Sequence, residues 1–171
     1  IGLGPIGLNS AKAVLSDKNL ELAGLVDFDP NKIGKTLGEL SGGAASGPKV
    51  VKSLDEISGA DVAILTTTSK FDKAADTLRA CMAKKMHVVS SCEEMAYPSY
   101  LYPDLTKQID AEAQKAGVSL LGTGVNPGFL MDFLPVVLSS MVMKVTSVKA
   151  VRRVDATYRR QPLQAKVGAT M

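Results

Sequence analysis

Three glycines near the start of the chain have the spacing of a loop that binds a dinucleotide. They are Gly2, Gly4 and Gly7, in the stretch IGLGPIG. In such loops the first glycine permits a tight turn, the second lets the backbone approach a pyrophosphate, and the third lets a helix pack closely on a strand. Pro5 and Ile6 stand in the first turn of the predicted helix, whose amino-terminal end would attract the anion. We therefore assign all five residues to a predicted cofactor loop.

A carboxylate stands in the place where such a site needs one. Asp27 follows Gly7 by twenty residues and comes at the end of the apolar run LELAGLV. An acid there accepts hydrogen bonds from the adenine ribose and disfavours the extra phosphate of NADP, but Lys32 and Lys35 are close enough in sequence to neutralise that phosphate. The spacing predicts NAD or NADP as cofactor, with NAD favoured. The alternative is a tight glycine turn and an acid that caps a strand.

Hydroxyl and carboxyl groups follow two further predicted strands. Thr66, Thr67 and Thr68 end ADVAILTTTS, whereas Glu93 and Glu94 end HVVSSCEE. Ligands bind at the carboxyl ends of parallel strands, so we expect the threonines to line the nicotinamide ribose. Side chains alternate along a strand, so only one glutamate can face the cofactor, where a partly shielded carboxylate could exchange protons with an amine or with water. A polar strand end and two acids in a surface loop are the alternatives.

The stretch GTGVNPGF is the last candidate for the site. Asn126 and Pro127 are turn-forming residues, and they stand with nearby glycines between a predicted strand and a predicted helix. Backbone groups there can approach a ligand closely, so we assign both residues to the cofactor site. A tight turn with a helix cap is the alternative.

These residues need a parallel sheet to bring them together, and the rest of the chain supplies its elements. Apolar runs alternate with helical patterns up to about residue 142, which predicts a doubly wound α/β sheet, the Rossmann arrangement. Residues 145–156 then predict a long strand with no helix after it. We expect a dinucleotide-binding domain at 1–142, its first strand clipped to Ile1, and the start of a truncated α+β substrate domain at 143–171.

The composition excludes several other classes of protein. The chain has 171 residues, 46% of them hydrophobic, with two cysteines and one histidine, so it can bury a core but lacks a metal-ligand pattern. We expect no metal and no membrane span, and we predict a cytoplasmic protein. Seven basic residues stand against Asp155 in residues 144–171, but they alternate as in a strand. Nucleic acid is therefore not expected as a partner.

Four stretches taken in order carry a family resemblance: GLGPIG, SSCEE, GTGVNPGF and RRQPLQAKVG. Together they resemble the NAD(P)-dependent amine dehydrogenases and the 2,4-diaminopentanoate dehydrogenases, relatives of dihydrodipicolinate reductase. The resemblance extends over essentially the whole chain. It implies a nucleotide-binding domain followed by a substrate domain that also forms a homodimer, and enzymes of this kind are about twice as long. This chain alone is therefore expected to be inactive.

The resemblance also implies roles for individual residues. It gives the proton-transferring carboxylate to Glu93 first and to Glu94 second, and it places Phe129, Arg153 and Asp155 beside the substrate. The reaction implied is hydride transfer between NAD(P) and the carbon of a small-molecule amine or imine, with a diamino acid or a primary amine as substrate. A dihydrodipicolinate reductase-like imine reductase and a non-catalytic NAD(P)-binding regulatory module are the alternatives.

Overall fold

Short parallel strands alternate with helices in the amino-terminal part of the chain. The structure, a computed structural model, describes residues 1–153 together with residues 155, 157 and 164. The strands are β1 (Leu25–Val26), β2 (Val50–Val51), β3 (Val62–Leu65), β4 (His87–Ser90) and β5 (Leu120–Gly122). The α-helices are α1 (Pro5–Ser16), α2 (Leu37–Leu40), α3 (Phe71–Ala83), α4 (Pro103–Ala116) and α5 (Leu134–Ser139). Single 3₁₀ turns span Leu54–Glu56, Glu93–Ala96 and Pro98–Tyr100, and a π-helical turn spans Phe129–Phe133.

The first two residues occupy the position of a central strand between two small sheets. One sheet pairs β1 with β2 and the other has the order β3, β4, β5, all in parallel. Gly2 donates its N–H to the carbonyl of Val26, while the Ile1 nitrogen donates to Ile64 and the Ile1 carbonyl accepts from Thr66. The order is therefore β2, β1, residues 1–2, β3, β4, β5. This is the Rossmann order, and the predicted parallel α/β architecture is confirmed.

Two separate clusters of apolar side chains lie between the helices and the strands. Leu3, Ala11, Leu25, Leu37 and Val50 form one cluster around α1 and α2. The larger cluster contains the buried face of α3, which recurs at helical spacing, together with residues of β3, β4 and α4. On α3 that face consists of Phe71, Ala74, Ala75, Leu78, Cys81 and Met82. Both clusters hold the carboxyl ends of the strands, here called the carboxyl edge, in fixed positions.

Local signals in the sequence set several element ends. Pro5 and Pro103 stand at the starts of α1 and α4, where the missing N–H costs nothing, and Gly117 ends α4 in a left-handed conformation with φ of 72°. Ser53 and Glu56 form a capping box at the start of the 3₁₀ turn Leu54–Glu56. An equivalent box at Thr36 and Glu39 starts α2, with the Thr-x-x-Glu pattern typical of a helix start.

Two predicted strands are shorter than expected. LELAGLVDFDP forms a strand only at Leu25 and Val26, and Leu20 is 56% exposed. HVVSSCEE leaves the sheet after Ser90, whose hydroxyl accepts a hydrogen bond from the Cys92 nitrogen and thereby turns the backbone away. The glutamates consequently stand in the 3₁₀ turn and not on β4, so the alternation of side chains along a strand does not apply to them.

The chain divides into two compact units, Ile1–Asp132 and Phe133–Met171. Among the described residues of the second unit, α5 is the α-helix, and residues 144–153 belong to no helix or strand. A strand requires a hydrogen-bonded partner, so the strand predicted over residues 145–156 is not confirmed where it is described. Much of the remainder of residues 143–171 lies outside the described residues, and the two-domain division stays a prediction.

Candidate cofactor-binding site

The glycine loop, residues 2–7, has the shape that a pyrophosphate site needs. Gly2 has φ of 84°, a conformation that favours glycine, and a Cβ at Gly7 would lie 1.8 Å from the Gly2 carbonyl oxygen. Both positions therefore exclude a side chain. Nothing lies within 4 Å of a Cβ built at Gly4, which precedes α1 and carries no side-chain cap. The open space at Gly4 and the uncapped helix end together fit an anion.

A threonine of the neighbouring strand fixes this loop. The Thr66 hydroxyl lies 2.6 Å from the Gly2 carbonyl oxygen and donates its hydrogen there. That hydrogen is thus used within the protein, and Thr66 contributes to loop geometry in addition to its predicted place near the nicotinamide ribose. Thr67 is exposed, and the Thr68 hydroxyl accepts a hydrogen bond from the Lys70 nitrogen. The ribose contacts of the three threonines stay predictions.

Asp27 is held against the glycine loop at the end of β1. Its Oδ2 accepts a hydrogen bond of 2.6 Å from the Leu3 nitrogen, and its Oδ1 accepts one of 2.9 Å from the Asp29 nitrogen. Burial raises the pKa of this carboxyl, but these hydrogen bonds and the Lys32 ammonium outweigh burial, so the pKa is lowered overall. The side chain is ionised near neutral pH and retains acceptor capacity for a ribose hydroxyl.

Lys32 brings a positive charge to the same place. Its Nζ lies 3.0 Å from Oδ2 of Asp27 and 3.7 Å from Oδ2 of Asp29. The Lys32 side chain is about one quarter exposed, so the ammonium is accessible from solvent. Lys35, the other lysine considered for a phosphate, is exposed, and its backbone carbonyl accepts a hydrogen bond of 2.8 Å from the Val50 nitrogen. Asp27, which disfavours the extra phosphate of NADP, and Lys32, which could neutralise that phosphate, are therefore in direct contact.

A cavity of about 430 Å³ adjoins the end of β1. Val26 and Phe28, the two neighbours of Asp27 in sequence, both line it, and Phe28 is 63% exposed. The chain after β2 and the middle of α3 complete the wall, mainly with Leu54, Thr77 and Ala80 and with the charged Lys52 and Asp55. Sequence reasoning did not single out Phe28, although its place directly after the acid was a usable signal.

The two glutamates have different environments. Glu93 is exposed at the start of the 3₁₀ turn. Glu94 is largely buried: its side chain is 13% exposed, its Oε1 lies 2.6 Å from Lys70 Nζ, and its Oε2 accepts a hydrogen bond of 2.9 Å from the Phe71 nitrogen. The bond with Lys70, followed by that from Phe71, lowers the pKa of Glu94. Sequence reasoning missed this ion pair because its partners are far apart in the chain.

The loop over residues 123–128 is tightly folded beside the end of β5. The peptide bond between Asn126 and Pro127 is cis, and both residues are half-buried. Gly128 donates its N–H to Oδ2 of Asp132 at 2.6 Å, and a Cβ on Gly128 would meet the Gly124 backbone at 2.5 Å. The loop is thus built around glycine, as its composition predicted. Contact of Asn126 or Pro127 with a cofactor stays a prediction.

The residues assigned to the substrate lie in both units. Phe129 is half-exposed and begins the π-helical turn. Arg153 and Asp155 are exposed in the second unit, where Oδ1 of Asp155 accepts a hydrogen bond from the Thr157 nitrogen and the contacts with Thr157 lower its pKa. Their predicted contact with substrate stays a prediction. Within the described residues no cluster of histidine, cysteine or acidic side chains could hold a metal ion, and no helix is long and apolar enough to cross a membrane.

Known dehydrogenases are similar to this chain in sequence and in structure. The chain is 36% identical over 165 residues to the 2,4-diaminopentanoate dehydrogenase of Acetoanaerobium sticklandii, an alignment that covers 91% of this chain and 45% of that protein. The structure of the amine dehydrogenase from Mycobacterium smegmatis superposes with a TM-score of 0.67 at 29% identity, over 78% of this chain and 41% of that one. No protein-family model matches the sequence.

These similarities confirm the resemblance that the four sequence stretches indicated. The chain spans less than half the length of each of these two proteins.

Proposed function

We propose, on the premise that this chain is a relative of the amine and 2,4-diaminopentanoate dehydrogenases, that it forms the nucleotide-binding part of an NAD(P)-dependent oxidoreductase acting on amines. The observation that supports this most directly is the glycine loop, with its open space at Gly4 beside the ionised Asp27. A plain structural turn would not require an uncapped helix end and a carboxylate at the same edge.

The site accommodates the parts of the cofactor in order along the carboxyl edge. The amino-terminal end of α1 would bind the pyrophosphate, and Asp27 would accept hydrogen bonds from the adenine ribose. The cavity beside Phe28 would take the adenine ring, whose flat face suits an aromatic neighbour. NAD remains slightly favoured, because Asp27 would repel a 2′-phosphate, while the nearby Lys32 ammonium makes NADP acceptable.

Bound nicotinamide supplies hydride transfer, and the residues of this chain supply positioning and proton transfer. In oxidative deamination the amine carbon gives up a hydride and becomes an iminium, water adds to it, and ammonia leaves the resulting carbinolamine to give a carbonyl. We assign the removal of the proton from water to Glu93. Its carboxylate is exposed beside the edge where the nicotinamide would lie, whereas both oxygens of Glu94 are used in holding α3.

The substrate is proposed as a diamino acid such as 2,4-diaminopentanoate, or a simple primary amine. A diamino acid needs a cationic partner for its carboxylate, for which Arg153 is the candidate, and Phe129 would contact the apolar part of either compound. Two functions compete with this proposal. One is reduction of a cyclic imine, as in the dihydrodipicolinate reductases, and the other is regulatory binding of NAD(P) without catalysis. The homodimer implied by the family resemblance is part of the same proposal.

The experiment is a titration of the full-length protein with NADH and NADPH, followed by assays of cofactor reduction with 2,4-diaminopentanoate and with a panel of alkyl amines. Binding of a cofactor and amine-dependent reduction would support the proposal. The regulatory module would be favoured if a cofactor binds but none of three substrate types is turned over. These are amines, carbonyl compounds supplied with ammonia, and cyclic imines. Absence of binding at millimolar concentrations of both cofactors would overturn the assignment of the site.

A further inference from the structure

Glu94 joins two loops of the carboxyl edge that the proposed reaction requires. Its carboxylate contacts Lys70 Nζ at 2.6 Å and the Phe71 nitrogen at 2.9 Å, both at the start of α3. Its backbone nitrogen donates to the carbonyl of Ser69 at 3.2 Å. The threonine loop, residues 66–69, is therefore attached through Glu94 to the 3₁₀ turn that begins at Glu93.

Further contacts around Glu94 restrict its conformation. The hydroxyl of Tyr102, which lies at the start of α4, contributes to lowering the pKa of the Glu94 carboxyl. The Tyr102 ring also packs on Phe71, with ring centroids 5.9 Å apart, and Phe71 is 2% exposed. Burial, followed by the bond with Glu94, raises the pKa of the Tyr102 hydroxyl, so it remains a donor at neutral pH. The carboxylate thus has partners from α3 and α4 and is a poor candidate for exchanging protons with a substrate.

The backbone on the β4 side of the turn is fixed independently. Ser91 donates its N–H to the Leu65 carbonyl at 3.1 Å, and the buried hydroxyl of Ser90 donates to the same carbonyl at 3.1 Å. These bonds secure only the start of the segment that leads to Glu93. Beyond Cys92, buried Met95 anchors the turn in the core, and the contacts of Glu94 attach it to the threonine loop.

We propose that Glu94 is a positioning residue which, through its ion pair with Lys70, fixes Glu93 relative to the cofactor-binding threonine loop. This inference rests on the proposed function, because it assigns the proton transfer to Glu93 and gives Glu94 a different task. The Lys70–Glu94 pair is suited to that task because its acidic member is largely buried while Lys70 is 63% exposed, so removal of one partner changes loop position without opening the core.

The test compares four variants of the full-length protein. Glu94→Gln and Lys70→Met break the ion pair, and Lys70→Arg keeps it. Lys73→Met removes an equal charge in the first turn of α3, where the pair of Lys73 with Asp72 spans 3.8 Å on the surface. Measurements are kcat, KM for the amine, the pH profile of kcat/KM, and hydrogen exchange at the amides of Phe71 and Glu94. Glu93→Gln provides the reference for loss of the proton-transferring group.

We expect Glu94→Gln and Lys70→Met to lower kcat by up to about 100-fold, the effect of misplacing a catalytic group by about 1 Å. The acid limb of the pH profile should remain in both, because Glu93 is intact, and KM should change less than kcat. Lys70→Arg should restore kcat, and Lys73→Met should leave it unchanged. Glu93→Gln should remove the acid limb and lower kcat by about 100- to 10,000-fold.

Loss of the acid limb in Glu94→Gln but not in Glu93→Gln would overturn the inference, because Glu94 would then be the proton-transferring residue. Full activity in both pair-breaking variants would overturn it as well. If the parental protein turns over no amine, the proposed function fails separately. Hydrogen exchange still decides the positioning role in that event: Glu94→Gln and Lys70→Met should speed exchange at the Glu94 amide, whereas unchanged exchange would contradict the role.

Discussion

The backbone nitrogen of Leu3 donates a hydrogen bond of 2.6 Å to Oδ2 of Asp27, which joins the glycine loop directly to the end of β1. The acid predicted to bind a ribose is therefore also part of the support of the pyrophosphate loop. A substitution at Asp27 should consequently change both the stability of the protein and its affinity for the cofactor.

We expect the Asp27→Asn variant to have a flatter dependence of stability on acidic pH. The pKa of Asp27 is lowered below its usual value of 3.8, so its ionised form stabilises the folded state above that value. This stabilisation is lost as pH falls from the usual value through the lower pKa of the folded state. Urea unfolding of both proteins between neutral and acidic pH measures the effect. A difference in unfolding free energy that stays constant throughout that range would contradict it.

Lys32→Ala should weaken the binding of NADPH more than that of NADH. The Lys32 ammonium lies 3.0 Å from Asp27, and in the unchanged protein it would attract the 2′-phosphate of NADPH. A partly exposed ion pair contributes up to about 1 kcal/mol, so we expect about a fivefold loss for NADPH. Isothermal titration with both cofactors measures this change. Lys18→Ala, which removes an exposed charge beyond the end of α1, serves as the control, and an equal loss for both cofactors would argue against a phosphate contact.

Gly7→Ala and Gly4→Ala should separate folding from cofactor binding. A Cβ at Gly7 would lie 1.8 Å from the Gly2 carbonyl oxygen and 2.7 Å from the Thr66 hydroxyl, so we expect a loss of about 1–3 kcal/mol in unfolding free energy. A Cβ at Gly4 meets nothing, so the unfolding free energy of Gly4→Ala should change by less than about 0.5 kcal/mol. The added methyl group should still weaken NADH binding by about tenfold, because it enters the pyrophosphate space. Unaltered affinity in Gly4→Ala would place the pyrophosphate elsewhere.

Local patterns in the sequence were sufficient for much of the fold. The glycine spacing and the apolar runs depend on residues that are close along the chain, and the structure has the corresponding helix and strands. The place of residues 1–2 between β1 and β3 follows from the same Rossmann pattern. The short α2 was missed because the surrounding glycines and serines are typical of loops.

Contacts between distant residues could not be predicted in the same way. Lys70 and Glu94 are paired across 24 positions, and nothing in either local sequence distinguishes that pair from two solvated charges. The hydrogen bond from Thr66 to Gly2 has the same character, with 64 positions between its partners. The strand predicted for residues 145–156 is not confirmed in its described part, because alternating residues favour a strand but do not supply the partner that a strand needs.

Gly122→Ala should lower turnover while leaving cofactor affinity nearly unchanged. A Cβ at Gly122 would lie 2.5 Å from both the carbonyl carbon and the oxygen of Met95, so the 3₁₀ turn of Glu93–Ala96 would have to move. Glu93 begins that turn, and a shift of about 1 Å costs up to about 100-fold in kcat. The glycine loop and Asp27 do not contact Gly122 directly, so the dissociation constant of NADH should stay within a factor of about two.

The measurement combines steady-state kinetics of the full-length protein with NADH titration. Ser119→Ala, at the exposed start of the chain leading into β5, is the control and should retain both kcat and NADH affinity, because its contact with His87 is made by the backbone nitrogen. If Gly122→Ala kept parental kcat while remaining folded, the position of the glutamate turn would be unimportant for catalysis. Glu93 would then lose its assignment as the proton-transferring residue, since that assignment depends on its place in the turn.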